Sequence, residues 1–380
     1  MGNGDEVQKF IRCPHCGLPH ASTETMCPIE GKPIERPAKS NRNRASQPGP
    51  PSVPPPTPSQ RPPDWRPSPG NLTGRTLEGK YKIEEMIGRG AMGTVYRGRH
   101  SLLQRVVAIK VISRGHSPGS EAEQRFYREA RIAGSIGHPN IAEVFDLGTL
   151  EDGSPFIVMP YLEGETLAER IRRVGALPLV EAFEIAARVV SALVATHAKG
   201  IVHRDLKPEN VFLARQDGGT LRVQLLDFGI SKDASEDELG LTSEGVVIGT
   251  PYYLAPEQAR GQRDVDHRTD IYAAGVLLYE MLTGRLPLQA DNYNAQLMLI
   301  VGHMPEPPSK IRPEIPEAAD AVVATAMAKS PADRYQTARE MLEAIGFVHS
   351  LARPAPAPNE DATEVSDSFI HFDLKLPKTE

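Results

Sequence analysis

Short runs of alternating or β-branched residues open the region from Tyr81 onward: Tyr81 to Ile87, Thr94 to Arg99 and Val106 to Ile112, separated by glycine-rich or polar turns. Period-two patterning of this kind predicts strands. A helix is predicted next, because Ser120-Glu121-Ala122-Glu123 forms a capping-box pattern and Phe126, Ala130, Ala133 and Ile136 recur at helical spacing. Two further runs, Glu143 to Leu147 and Phe156 to Pro160, complete a predicted five-stranded sheet with one main helix. The pattern then changes period. Phe183, Ala186, Val190, Leu193 and His197 mark one face of a long helix that Gly200 can close as a left-handed residue, and Asp270 to Leu282 reads as a nearly all-apolar, buried helix. The expectation is an α+β fold of two lobes, one strand-rich and one mainly helical.

Composition places the boundaries. Eleven of the 22 residues from Pro48 to Pro69 are proline, a stretch that can form neither a core nor a ladder and is expected to be an extended spacer. The domain reading is a Cys-containing module over 1–37, a linker over 38–72, a folded body over 73–350 (small lobe about 73–162, large lobe about 163–350) and a tail over 351–380. With 39% apolar and 24% charged residues the body has ordinary core material, and a net charge of −6 gives no basic field for nucleic acid. The start carries neither an export signal nor a lipid-anchor motif, and no apolar run reaches membrane-spanning length. A soluble, cytoplasmic protein without membrane or nucleic-acid partners is therefore expected.

The candidate chemistry begins at Gly88-Arg89-Gly90-Ala91-Met92-Gly93, between the first two strands of the body. Glycines there let backbone amides approach a polyphosphate, although a plain hairpin needs the same residues. A strand follows the run where a dinucleotide-binding turn would have a helix. Lys110 lies inside the apolar strand Val107-Ala108-Ile109-Lys110. Either its head snorkels out at a sheet edge or it has a buried anionic partner, for which Glu129 is the candidate. His203-Arg204-Asp205-Leu206-Lys207-Pro208-Glu209-Asn210 and Asp227-Phe228-Gly229 then supply a base for a hydroxyl (Asp205) and two metal ligands (Asn210, Asp227), the parts phosphoryl transfer needs.

With these motifs in this order, the chain from Tyr81 to about Phe347 resembles the bacterial eukaryotic-like (Hanks-type) serine/threonine protein kinases. The resemblance implies a two-lobed kinase fold, ATP and Mg²⁺ as cofactors with Mn²⁺ as an alternative, and protein serine and threonine residues as substrates. It places Ile87, Gly88, Gly90, Gly93, Val95, Ala108, Lys110 and Glu129 around the nucleotide. Met159 falls at the gatekeeper position, although plain core filling is equally its habit, and Pro160 and Leu162 fall in the adenine hinge. Many relatives have glutamate where this chain has Pro160; the change is tolerable because only that residue's carbonyl is needed. Asp205 is implied as the base, Lys207 as the neutraliser of the γ-phosphoryl group, and Asn210 with Asp227 as the Mg²⁺ ligands.

Arg204 resembles the mark of kinases switched by phosphorylation of the segment from Ser231 to Ile248, with Thr242 or Ser243 as acceptor and Glu244 standing where relatives often have a second threonine. Thr250 resembles the residue that bonds the catalytic Asp and Lys. The resemblance further pairs Glu257 with Arg334, has Asp270 brace the backbone at His203 and Arg204, and allows back-to-back homodimers. Two rivals stand beside it, a nucleotide-binding scaffold without transfer and a small-molecule kinase. The first is disfavoured because Lys110, Asp205, Asn210 and Asp227 are all present, the second because Gly249 to Glu257 resembles a protein-substrate platform.

At the N-terminus, Cys13-Pro14-His15-Cys16-Gly17 and Cys27-Pro28-Ile29-Glu30-Gly31 resemble paired zinc knuckles. Cys13, Cys16 and Cys27 would bind Zn²⁺ with Glu30, His15 or His20 as the fourth ligand; three free thiols are the alternative. In the tail Ile370, Phe372, Leu374 and Leu376 alternate with polar residues, a pattern that suits either strand-like docking or a disordered end.

Overall fold

The computed structural model describes residues 10–12, 19–21, 25–26, 32–33, 71–90, 93–112, 127, 130, 134–216, 220–226, 251–262 and 264–352. Near the N-terminus β1 (Phe10–Arg12) and β2 (Pro19–Ala21) pair antiparallel, and an isolated bridge joins Met26 to Pro33.

The small lobe is a sheet of six strands in the order β3-β4-β5-β6-β8-β7. They are β3 (Thr76–Leu77), β4 (Tyr81–Gly90), β5 (Gly93–His100), β6 (Val106–Ile112), β7 (Asp146–Thr149) and β8 (Pro155–Pro160). The sequence pattern led to five, because a two-residue strand has no period to detect. It also placed a strand at Glu143 to Leu147, whereas β7 begins at Asp146. The preceding segment is apolar for another reason. It runs between the lobes: Ile141 packs into the large core, Val144 packs beside Ile157, and the Ala142 amide donates to Leu225 O at 3.0 Å. Of the helix predicted after β6, Tyr127, Ala130 and Gly134 are described and helical; Glu129 and the capping residues lie outside the described residues.

Alternation along these strands separates two faces. Tyr81, Ile83, Tyr96, Val107, Ile109, Val111, Phe156 and Val158 form the lobe's core with Leu72 and Leu77. On the opposite face, register sets Gly88 against Val95, Val95 against Lys110, Lys110 against Ile157 and Ala108 against Met159. That second face looks toward the site.

In the large lobe the long helices are α1 (Leu167–Val174), α2 (Leu179–His197), α3 (Arg268–Thr283), α4 (Tyr293–Gly302), α5 (Glu317–Ala326) and α6 (Ala338–Ala352). Helix α1 begins with a capping box, the Thr166 hydroxyl accepting from the Glu169 amide while Glu169 accepts from Thr166 N. Helix α3 is buried along nearly its whole length, as its sequence predicted, and Gly284 ends it at φ 69°, a left-handed cap. After α2 the left-handed residue is Gly200, at φ 71°. A three-stranded sheet in the order β11-β10-β9 lies beneath the small lobe, built from β9 (Gly164–Thr166), β10 (Val211–Arg215) and β11 (Leu221–Leu225). The reading of the sequence did not include it. Among the described residues no helix is long and apolar enough to cross a membrane.

Candidate active site

One connected piece of backbone carries the lower half of the site. From Pro160 at the end of β8 the chain passes through Leu162 into β9, and β9 pairs with β10, Ala214 facing Gly164. A Cβ on Gly164 would come within 2.1 Å of Leu213 O, so the close approach requires glycine. Strand β10 starts immediately after Asn210, and β11 returns beside it to end at Leu225. The Leu226 amide then donates to Asn210 O at 2.8 Å. Asp227 follows Leu226 directly in the chain and lies, with Phe228 and Gly229, outside the described residues.

Within the His203–Asn210 loop the functional groups converge on one carboxylate. Lys207 Nζ donates to Asp205 Oδ2 at 2.8 Å. Asn210 Nδ2 donates to Asp205 O at 2.7 Å and to Oδ2 at 3.2 Å. The loop itself is held from below by Asp270, which is fully buried on α3. Its carboxylate accepts from the amides of His203 (2.8 Å) and Arg204 (2.9 Å), and its Oδ2 lies 2.8 Å from His197 Nε2. This bracing holds Arg204 at φ 62°, a left-handed conformation unfavourable for a side chain with a Cβ. Gln258 Nε2 donates to Arg204 O at 3.3 Å and fixes the loop from the segment that follows.

On the sheet side, Lys110 is buried, 8% exposed, on the face that carries Val95, Ala108 and Met159. Gly88 and Gly90 lie at the end of β4, where Gly90 pairs with Gly93. Gly93 has φ 153°, and a Cβ there would meet Val111 O at 2.2 Å, so the hairpin can lie this close to β6 only with glycine. Ile87, beside Gly88 on the same strand, is exposed. Met159 packs with Ala130, Val144, Leu147 and Ile157, beneath the described part of the small-lobe helix.

A second buried anchor closes the large lobe. Arg334 donates to both oxygens of Glu257, at 2.7 and 2.6 Å, and the Thr269 hydroxyl donates to Glu257 Oε1 at 3.0 Å. Burial alone would raise the Glu257 pKa, but the Arg334 hydrogen bonds and charge outweigh it and hold the carboxyl below its ordinary range. Both pairings expected of Glu257 and Asp270 are thus present. Three participants carried no signal as such in the sequence: His197 was read only as part of an apolar helix face, and Gln258 and Thr269 reach their partners through tertiary contacts. The segment from Ser231 to Thr250 lies outside the described residues, as do Cys13, Cys16 and Cys27. Among the described residues no cluster of His, Cys, Asp or Glu is arranged to hold a metal.

A strand-rich lobe over a helical lobe, with a buried lysine on one side and a braced Asp-Lys-Asn cluster on the other, is the architecture of a protein kinase. The protein kinase domain family matches residues 81–345, and the chain belongs to that family, in its bacterial eukaryotic-like serine/threonine branch. It is 40% identical over 272 residues to the serine/threonine-protein kinase Pkn3 of Myxococcus xanthus, covering 70% of this chain and 50% of the relative. It is 40% identical over 285 residues to the serine/threonine-protein kinase PknB of Mycobacterium leprae, covering 74% and 45% respectively. The chain thus spans about half the length of these curated relatives. The crystal structure of the Mycobacterium tuberculosis PknI kinase domain superposes with a TM-score of 0.57 at 31% identity, covering 73% of this chain and 98% of that domain.

Proposed function

We propose that this chain transfers the γ-phosphate of ATP to serine and threonine hydroxyls of proteins, as part of bacterial signalling. The observation that carries the proposal is the Asp205 carboxylate, held by Lys207 and Asn210 on a loop that buried Asp270 locks in place. A carboxylate so positioned orients an incoming hydroxyl and accepts its proton. Lys207, hydrogen-bonded to the base, stands where the transferring phosphoryl group's charge needs neutralising, and Lys110 is the cation for the α- and β-phosphates. The glycines from Gly88 to Gly93 present main-chain amides to the same anion.

Mg²⁺, or Mn²⁺ in its place, fits the donors present. The Asn210 amide nitrogen is turned toward Asp205, its oxygen has no protein partner among the described residues, and such a cation would take that oxygen together with the Asp227 carboxylate. When bound, the cation supplies neutralisation of the phosphate charge. Activation by autophosphorylation at Thr242, or at Ser243 beside it, belongs to the same proposal, with Arg204 as the phosphate's partner and Glu244 as a fixed negative charge.

The test is incubation with labelled ATP, Mg²⁺ and a generic basic protein, beside Asp205→Asn. Incorporation on serine and threonine that falls by about 10²–10⁴ in the variant is expected. Equal labelling by both proteins, or none by either, would overturn the proposal.

We further infer a structural Zn²⁺ held by Cys13, Cys16 and Cys27. Support comes from the described flanks: β1 and β2 bracket the segment with Cys13 and Cys16, and the Met26–Pro33 bridge brackets Cys27. Cysteines that fall in sequence between such paired segments, two of them at a Cys-x-x-Cys spacing, suit a structural zinc site. Metal analysis should find one zinc per chain, lost in Cys16→Ser; metal-free wild-type protein would refute it.

A further inference from the structure

A cavity of about 520 Å³ opens beside the hinge, and neither Gly93, Lys110, Asp205 nor Asn210 lines it. Its walls include Pro160 and Leu162, the loop from Gly137 to Glu143, Arg105 before β6, and Arg222 and Gln224 on β11. That volume suits a bound group of several side chains. Two of its lining residues bring exposed guanidiniums with no carboxylate partner among the described residues: Arg105 lies over the Phe145 ring at 4.3 Å, and Arg222 donates only to Pro139 O at 3.0 Å. Glu143 is the one carboxylate among the described residues of the lining. Gln224 is 4% exposed, and its Oε1 has no hydrogen-bond partner among the described residues. A buried amide oxygen in that state is unfavourable until a donor reaches it.

The chain itself carries a matching segment. Between Glu360 and Asp373 there are five carboxylates and no lysine or arginine, and Phe369, Ile370 and Phe372 fall among them. Helix α6, from which this tail departs, runs along α2. His349 Nε2 lies 3.7 Å from Glu184 Oε1 on α2, and Ser191 Oγ, also on α2, lies 3.3 Å from Nε2 of the cavity-lining His138. Seven residues of helix separate Glu184 from Ser191, about 10 Å. The fifteen residues from Arg353 to Asp367 span up to about 50 Å when extended, so the tail reaches the cavity with length to spare.

We propose that the segment from Asp367 to Leu376 docks in this hinge-side cavity of its own domain, its carboxylates meeting Arg105 and Arg222 and its apolar residues filling the space between. An extended backbone also brings an N–H donor for the buried Gln224 oxygen. Because Pro160 and Leu162 form part of the wall, an occupant there bears on the adenine-holding segment.

The test uses the full chain, with the photo-reactive p-benzoylphenylalanine replacing Phe372, irradiated without nucleotide and digested for mass spectrometry. Cross-links to residues 134–143 and 222–224 within one molecule are expected. They should fall by about tenfold in Arg105→Glu/Arg222→Glu, in line with the loss of two ion pairs. A tail variant, Asp367→Lys/Asp373→Lys, should give the same loss without touching the folded domain. Links to other surfaces, links only between two chains in a mixture of isotopically heavy and light protein, links undiminished by both double variants, or no links would each overturn the proposal. The readout is independent of phosphate transfer, so failure here leaves the kinase assignment intact.

Discussion

Substituting Glu257 by glutamine tests how the large lobe is held together. The side chains of Arg334 and Glu257 are 0% and 5% exposed, and the guanidinium also donates to Ala328 O at 2.8 Å and Arg268 O at 3.0 Å. In Glu257→Gln the carbonyl contacts remain, but the counter-charge is gone and an NH₂ group faces guanidinium N–H donors. Removing one member of a buried pair costs about 3–5 kcal/mol, a large part of the roughly 5–15 kcal/mol that stabilises a domain. Urea denaturation followed by circular dichroism should register that loss, with a fall in Tm on the order of 10 °C. Replacing both partners, as in Glu257→Leu/Arg334→Met, should recover most of it, because no charge is then left buried alone. The acid limb gives a second readout. Since the folded-state pKa of Glu257 lies below its ordinary 4.5, its contribution is complete above that pH and is lost as pH falls toward the folded value. Glu257→Gln should lack this component. A variant within about 1 kcal/mol of wild type, with an unchanged acid slope, would refute the reasoning.

Three further outcomes follow from the geometry. Asp270→Asn places an amide nitrogen against the His203 or Arg204 N–H, so stability should drop by about 2–3 kcal/mol in denaturation and transfer activity should fall with it. Lys329 is drawn down to about 8 by burial and by the charges of Arg334 and Arg260; the folded state therefore binds fewer protons than the unfolded state between that value and 10.5, and stability should rise with pH across the window. Lys329→Met should accordingly be more stable at pH 7, by on the order of 1–2 kcal/mol after allowing for solvent access, with the advantage vanishing near pH 10. Gly93→Ala puts a methyl group against Val111 O and should raise KM for ATP by about tenfold and lower Tm by several degrees, measured by initial rates and thermal melting.

What could be read in advance divides along physical lines. The two lobes, the buried helix α3 and the identity of Asp205, Lys207 and Asn210 were legible because patterning and motif spacing are local properties. Strand β3 was not, being two residues long, and Val144-Phe145 imitated a strand because its side chains pack into the small-lobe clusters. The β9-β10-β11 sheet was hidden because β9 is short and carries Gly164 and Glu165, poor strand formers whose conformation is set by their neighbour. His197, Gln258 and Thr269 reach their partners across 73, 54 and 12 residues of chain, and a single sequence carries no trace of such contacts.

Gly164 sits against the Leu213 carbonyl with no room for a side chain. Main-chain contact, not side-chain packing, fixes how far the Pro160–Leu162 segment stands from the loop that carries Asp205, with Arg215 N donating to Glu163 O at 2.8 Å beside it. Residues flanking the cleft are thereby released to diversify for new substrates or inhibitors without altering its internal ruler, provided position 164 stays bare.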